Sequence, residues 1–220
     1  MTRLIDLSHA IESGMVTYPG LPGPVVTDHL SREESRSRYA PGTEFHIGRI
    51  EMVANTGTYL DTPAHRYPDG PDLADIPLDR LADLPGLCVE APGPAIGPEV
   101  LADSPIAGHA VLFYTGWDVH WRTSGYGAED HPYLEVETVQ ELIDRGAALV
   151  GIDSVNIDDT GGGERPAHTR LLAAGVLIVE HLTGLSSLVD RPFTFFATPP
   201  KVRGLGTFPV RAFALMEGED

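Results

Sequence analysis

Asn55, Tyr59, Asp61 and His65 place a carboxamide, a phenol, a carboxylate and an imidazole within the eleven residues Asn55-Thr56-Gly57-Thr58-Tyr59-Leu60-Asp61-Thr62-Pro63-Ala64-His65. Imidazole ordinarily titrates near neutrality and suits general acid or base work, a carboxylate can ligate a cation, and a phenol can donate to a developing oxyanion. Asn55 could orient a substrate through its amide. Gly57 can take backbone angles closed to other residues, while Pro63 fixes its own φ and biases Thr62 toward extended geometry, so the segment reads as a strand end held in a defined shape. His65 is the best acid/base candidate in the chain. The bland alternative for Asp61 is an Asx turn beside Pro63.

The rest of the chain has to position these groups. Strand-sized apolar runs recur at Leu4–Leu7, Leu87–Val89, Val111–Tyr114, Ala148–Ile152, Val176–Val179 and Arg211–Leu215, and most are bounded by turn residues. The sequence predicts one helix from about Glu135 to Arg145 ended by Gly146 and another from about Pro166 to Ala174 ended by Gly175, with Pro near the start and Gly past the end as the termini prefer. A weaker helix is expected around Pro98 to Asp103. From residue 111 onward the order strand, loop, helix, strand, helix, strand implies an α/β core. Glu180 closes one buried run and Asp153 another, so both are expected at the rim where strands end and ligands bind. His168, in the first turn of the helix that feeds the Glu180 strand, can reach Glu180 and the Asp61/His65 turn. Its bland alternative is an exposed helix residue, and that of Glu180 is a pairing with Arg165 or Arg170.

Bulk properties narrow the function classes. The 220 residues read as a single domain, 1–220, and a net charge of -17 would repel phosphate backbones, so nucleic acid is not an expected partner. Even the most basic stretch, Arg32 to Arg38, contains Glu33 and Glu34. No apolar run approaches the roughly 20 residues of a membrane span, and Asp6 interrupts an N-terminus that does not suit a secretory signal; the expected compartment is the cytoplasm. The single cysteine, Cys88, excludes an intrachain disulfide and reads as a buried, inert thiol. The run Gly161-Gly162-Gly163 lacks the Lys of a phosphate loop and reads as a flexible lid beside Asp158 and Asp159. Trp117, Trp121 and Tyr126 could line an aromatic-friendly pocket. Of the other histidines, His46 could compensate for a missing ligand if its strand pairs with the Asp61 strand, whereas His181, next to Glu180 on a strand, should face the opposite way and be structural.

The ordered series Ile5-Asp6-Leu7-Ser8-His9, Tyr18-Pro19-Gly20, Gly57-Thr58, Asp61, Pro63, His65, Thr115-Gly116-Trp117, His131-Pro132-Tyr133-Leu134, Gly151-Ile152-Asp153-Ser154, His168, Leu171-Leu172 and Glu180 resembles the cyclase family that includes bacterial kynurenine formamidase and isatin hydrolase. That family's signature is His-x-Gly-Thr-His-x-Asp-x-Pro-x-His, followed far downstream by a metal-binding His and Glu. The resemblance implies a swivelling β/β/α-type domain with a mixed β-sheet or barrel-like core flanked by helices, and a homodimer or homotetramer. It also implies that Asp61, His168 and Glu180 are metal ligands and that His65 is the acid/base group. Asn55 and Tyr59 occupy the positions of the two leading histidines, which should weaken zinc binding. Three protein ligands suffice for one ion, and an oxygen-rich set completed by Asn55 suits manganese or magnesium better than zinc.

Three readings of function follow as expectations. In the first, the protein is a hydrolase that opens a C–N bond in a small amide, formamide, cyclic imide or lactam: one divalent ion, manganese or zinc, lowers the pKa of the attacking water while His65 shuttles a proton to the leaving nitrogen. In the second, no metal is needed, and Tyr59, His65, Asp61 and Asn55 form a pocket for a cyclisation, dehydration or isomerisation. A noncatalytic small-molecule binder is the third reading. Catalytic roles are expected for His65 and Tyr59, and substrate contacts for Asn55 and Trp117.

Overall fold

Apolar runs of the second half of the chain become the centre of one mixed sheet, because alternate residues of each run face two separate cores. A computed structural model describes residues 2–216. Its strands are β1 (Arg3–Asp6), β2 (Val25–Leu30), β3 (Ile47–Glu51), β4 (Tyr59–Asp61), β5 (Leu84–Glu90), β6 (Ala95–Ile96), β7 (Ala110–Tyr114), β8 (Tyr133–Leu134), β9 (Leu149–Ile152), β10 (Leu177–Glu180), β11 (Phe193–Phe196), β12 (Thr207–Pro209) and β13 (Phe213–Met216). Nine of them form a sheet in the order β1-β13-β11-β5-β7-β9-β10-β4-β12. The four central strands β5, β7, β9 and β10 run parallel, and the flanking pairs are antiparallel.

Parallel strands covered on both faces read as continuous apolar runs, which is why their sequence signal is strong. In β7, Ala110 and Leu112 belong to one core while Val111 and Phe113 belong to the other. The second core lies under helices α2 (Val136–Asp144) and α3 (Pro166–Ala173), whose Val139, Leu142, Leu171 and Leu172 are buried against Val150 and Ile178. Burying each such leucine contributes about 1.5–3 kcal/mol, and Leu142→Ala would cost roughly 2–5 kcal/mol through the cavity left behind. Gly146 and Gly175, both at φ 75°, follow the two helices as the sequence predicts.

Several elements differ from expectation. The helix expected at Pro98 to Asp103 is a 3-10 turn over Pro98–Leu101. Strands β11 and β12 lie outside the predicted runs; β12 is an edge strand, where Pro209 breaks no ladder. A separate hairpin of β2 and β3 carries exposed Val25, Val26, Ile47 and Ile50. His46 sits at its base, 2.7 Å from Asp28, and β3 pairs with β2 rather than with β4, so His46 does not replace a missing ligand at the Asp61 turn. Helix α1 (Arg32–Ser35) opens with a capping box between Ser31 and Glu34. No helix among the described residues is long and apolar enough to cross a membrane.

Candidate active site

Register alone gathers half of the site. Leu60 faces the first core, so Tyr59 and Asp61, its neighbours on β4, face the helix-covered side. Antiparallel pairing sets Tyr59 opposite Glu180 and Asp61 opposite Ile178 on β10, and sets Thr207 of β12 opposite Asp61 on the other flank. Gly206 makes this approach feasible: a Cβ there would meet the His65 backbone N at 2.1 Å. Its carbonyl accepts the Thr62 N–H at 2.7 Å, and the 3-10 turn Pro63–His65 then brings His65 back over Asp61.

His168 enters from the first turn of α3. Its Nε2 stands 3.6 Å from Asp61 Oδ2 and 3.6 Å from Glu180 Oε1, and its Nδ1 is 2.6 Å from Asp158 Oδ2. Asp158 also accepts the N–H groups of Ala167 at 2.6 Å and His168 at 3.1 Å, so one carboxylate both caps the helix and orients the ring. Glu180 Oε2 accepts the Tyr59 hydroxyl at 2.6 Å, and Oε1 accepts the Ile157 N–H at 2.7 Å. Asp61 Oδ1 accepts the Thr207 hydroxyl, whereas Oδ2 is buried without a hydrogen-bond partner.

Thr207 decides the tautomer of His65. Its single proton goes to Asp61, so its oxygen, 2.7 Å from His65 Nδ1, can only accept. The neutral ring therefore carries its proton on Nδ1 and leaves the Nε2 lone pair free. The His65 side chain is 34% exposed against 0% for that of Asp61, which puts the imidazole at the boundary between the buried carboxylates and solvent.

Burial drives the remaining electrostatics. It pushes the Glu180 carboxyl up to about 7, with the charge of Asp61 acting in the same direction and His168 against it. Burial also raises the Asp61 pKa, but His168 and His65 beside it outweigh that and hold it below the ordinary value. For His168 burial favours the neutral ring, yet the charges of Glu180, Asp158 and Asp61 raise it well above the usual imidazole range. Burial, then Glu180 and Asp61, keep the Tyr59 phenol neutral.

Three buried carboxylates around one buried imidazole leave an excess of negative charge that a divalent cation would balance. The 3.6 Å separations of His168 Nε2 from Asp61 Oδ2 and from Glu180 Oε1 leave room for one ion between them, and an ion there would give the orphaned Asp61 Oδ2 a partner. The Asp158–His168 pair is the carboxylate–imidazole arrangement that orients metal-binding histidines. Asp61, His65 and His168 also offer ligand atoms that all lie within 4.8 Å of one another. Asp61 and His168, with His65 or Glu180 beside them, fit a single divalent ion.

Of the residues singled out in the sequence, Asn55, Tyr59, His65, His168 and Glu180 line one cavity of about 730 Å³ together with Arg66, and Asp61 lies directly beneath. Trp117 is elsewhere: its Nε1 donates to the Tyr126 carbonyl at 2.9 Å, its ring packs on His120, and it is not part of the cavity wall. Asp153 is also elsewhere, bound to the Thr115 and Gly116 N–H groups, and Glu180 pairs with neither Arg165 nor Arg170. Asp158 and Thr207 carried no local signal, since one acts ten residues away and the other 146 residues away. Gly163, of the glycine run, borders the cavity.

A family model described as Putative cyclase matches residues 5–159. Kynurenine formamidase of Salinibacter ruber is 28% identical over 221 residues, 95% of each chain, and that of Bacillus mycoides is 26% identical over 222 residues, 96% of each. Isatin hydrolase A from Labrenzia aggregata shares the fold, with a TM-score of 0.82 at 22% identity over 99% of this chain and 94% of its own.

Proposed function

The chain belongs to the cyclase family, and from that premise we propose that it is a metal-dependent hydrolase opening a C–N bond of a small amide, formamide, cyclic imide or lactam. Relatives named kynurenine formamidase over nearly the full length support this class. The observation that carries it is the placement of His168 Nε2 at 3.6 Å from both Asp61 Oδ2 and Glu180 Oε1, with Asp61 Oδ2 otherwise unpartnered.

Asp61, His168 and Glu180 would hold the ion. When bound, a divalent ion supplies a Lewis acid that polarises the carbonyl and lowers the pKa of water. His65 Nε2, left unprotonated by the Thr207 contact, takes a proton from the attacking water and returns it to the leaving nitrogen. Thr207 keeps that tautomer, and Asp61, through Thr207, holds the ring in place. Asn55, on the cavity wall, orients the amide substrate. Tyr59 commits its proton to Glu180, so it fixes a ligand rather than donating to an oxyanion, which weighs against the metal-free cyclase reading.

Two carboxylates, one imidazole and a nearby carboxamide favour manganese over zinc. Exposed Val25, Val26, Ile47 and Ile50 of the β2–β3 hairpin support a homodimer or homotetramer, which light scattering on the eluting protein would measure. The substrate is a small molecule, and the compartment we assign is the cytoplasm. Metal analysis of protein purified without chelator tests the central reading: about one equivalent is expected, with turnover of N-formyl aromatic amines or cyclic imides lost on chelation and restored by manganese. Protein that takes up no metal from supplemented buffer refutes it.

A further inference from the structure

Behind Tyr59 runs a line of buried hydrogen bonds that the hydrolytic groups do not themselves contain. The Tyr59 proton goes to Glu180 Oε2 at 2.6 Å, so the Tyr59 oxygen can only accept from His181 Nε2, 3.3 Å away. Among the described residues no carboxylate lies within hydrogen-bond reach of His181; the Tyr59 contact calls for a donor on Nε2, and in the ring that carries its one proton there Nδ1 is the acceptor. Tyr126 supplies the matching donor, its hydroxyl 2.8 Å from Nδ1. Every link thus has one direction: Tyr126 to His181, His181 to Tyr59, Tyr59 to Glu180. The three side chains belong to residues 3%, 0% and 2% exposed, in that order.

The backbone pays for this line. His181 follows Glu180 directly, and an extended residue there would send its ring to the opposite face. Instead His181 adopts φ 55°, a left-handed conformation unfavourable for a non-glycine residue, and the turn delivers the ring to Tyr59. Its carbonyl is held by the Thr58 hydroxyl at 2.6 Å. Strain retained at a buried position beside a site points to a role in that site.

We propose that His181 and Tyr126 are positioning residues: they aim the Tyr59 hydroxyl at Glu180 Oε2 and so leave Oε1, the oxygen facing His168 Nε2, as the one presented to the metal. The metal part of this proposal rests on the hydrolase reading above. Three variants of the full-length protein separate positioning from mere packing. In His181→Gln the amide N–H2 still reaches Tyr59; in His181→Asn the left-handed backbone is better tolerated but the amide is too short; in His181→Phe the donor is gone. Manganese affinity measured by calorimetry on chelator-treated protein should stay within about threefold of wild type for Gln and fall at least tenfold for Asn and Phe, while melting temperatures do not follow that order. A structural role would make Asn the mildest change, and affinities that follow melting temperature overturn the proposal. Nitrogen-15 spectra of histidine-labelled wild type should show His181 protonated on Nε2, and in Tyr126→Phe its Nδ1 resonance should move toward that of an unbonded ring nitrogen. A proton on Nδ1 overturns the proposal whether or not metal binds. A wild type with Nε2–H but no manganese binding brings down the hydrolase reading and leaves the direction of the line intact.

Discussion

Asp158 Oδ2 lies 2.6 Å from His168 Nδ1, and the Asp158 carboxylate also binds the first backbone N–H groups of α3. A single side chain therefore fixes both the helix that delivers His168 and the ring nitrogen turned toward Asp61 and Glu180. Asp158→Ala is expected to lower metal affinity by about 10–100-fold and to cost about 1 kcal/mol through the lost helix cap. Calorimetric metal titration and urea unfolding measure the two effects separately, and unchanged affinity would remove His168 from the ligand set.

His65→Ala should lower turnover by roughly 10²–10⁴-fold with the fold retained, since its side chain is partly exposed and supports no core contact. Thr207→Val should also slow turnover, by about tenfold, because it removes the acceptor that holds the proton on His65 Nδ1. A wild-type rate in Thr207→Val would show that another contact sets the tautomer.

Restoring imidazoles at the positions where the family signature carries them tests the altered ligand set. Asn55→His combined with Tyr59→His should raise zinc affinity by at least about tenfold, because imidazole is a far better zinc ligand than a carboxamide or a neutral phenol. Competition with a chromogenic chelator reads the change. No gain would mean that the two side chains do not converge on the ion.

Acid stability should depend on His9, whose ring stacks on Trp121 at 4.0 Å. Burial lowers its pKa to about 4, against the charge of Asp118. Between about pH 6.5 and pH 4 the unfolded chain binds a proton that the folded chain refuses, so stability falls as pH drops through this window. Asp153, raised to about 6 by burial, contributes with the opposite sign, so the comparison must be with a variant. His9→Gln should lose less of its urea midpoint between pH 7 and pH 4.5 than wild type does, and parallel profiles would contradict the assignment.

The α/β core was legible because β7, β9 and β10 are buried on both faces, which forces unbroken apolar runs, and because α2 and α3 end at glycine. The hairpin β2–β3 and the edge strand β12 were not, since exposed and edge strands need no such pattern. Trp117, which the sequence places at the substrate, instead braces Tyr126, because an aromatic ring in a loop has no periodicity to tell which neighbour it will meet.

Sequence by itself determined the inventory: Asp61, His65, His168 and Glu180, and the turn fixed by Gly57 and Pro63; that Asn55 and Tyr59 stand in place of two imidazoles is what the family resemblance implies. Local chemistry suffices for that, since residue types and short-range backbone restrictions are written along the chain. Only the tertiary structure decided how those groups are used: pairing of β4 with β10 and β12 joined Tyr59 to Glu180 and Thr207 to Asp61, and the α3 cap joined Asp158 to His168. Such partners are set by strand register and helix docking, where one residue of slip would turn every side chain to the other face.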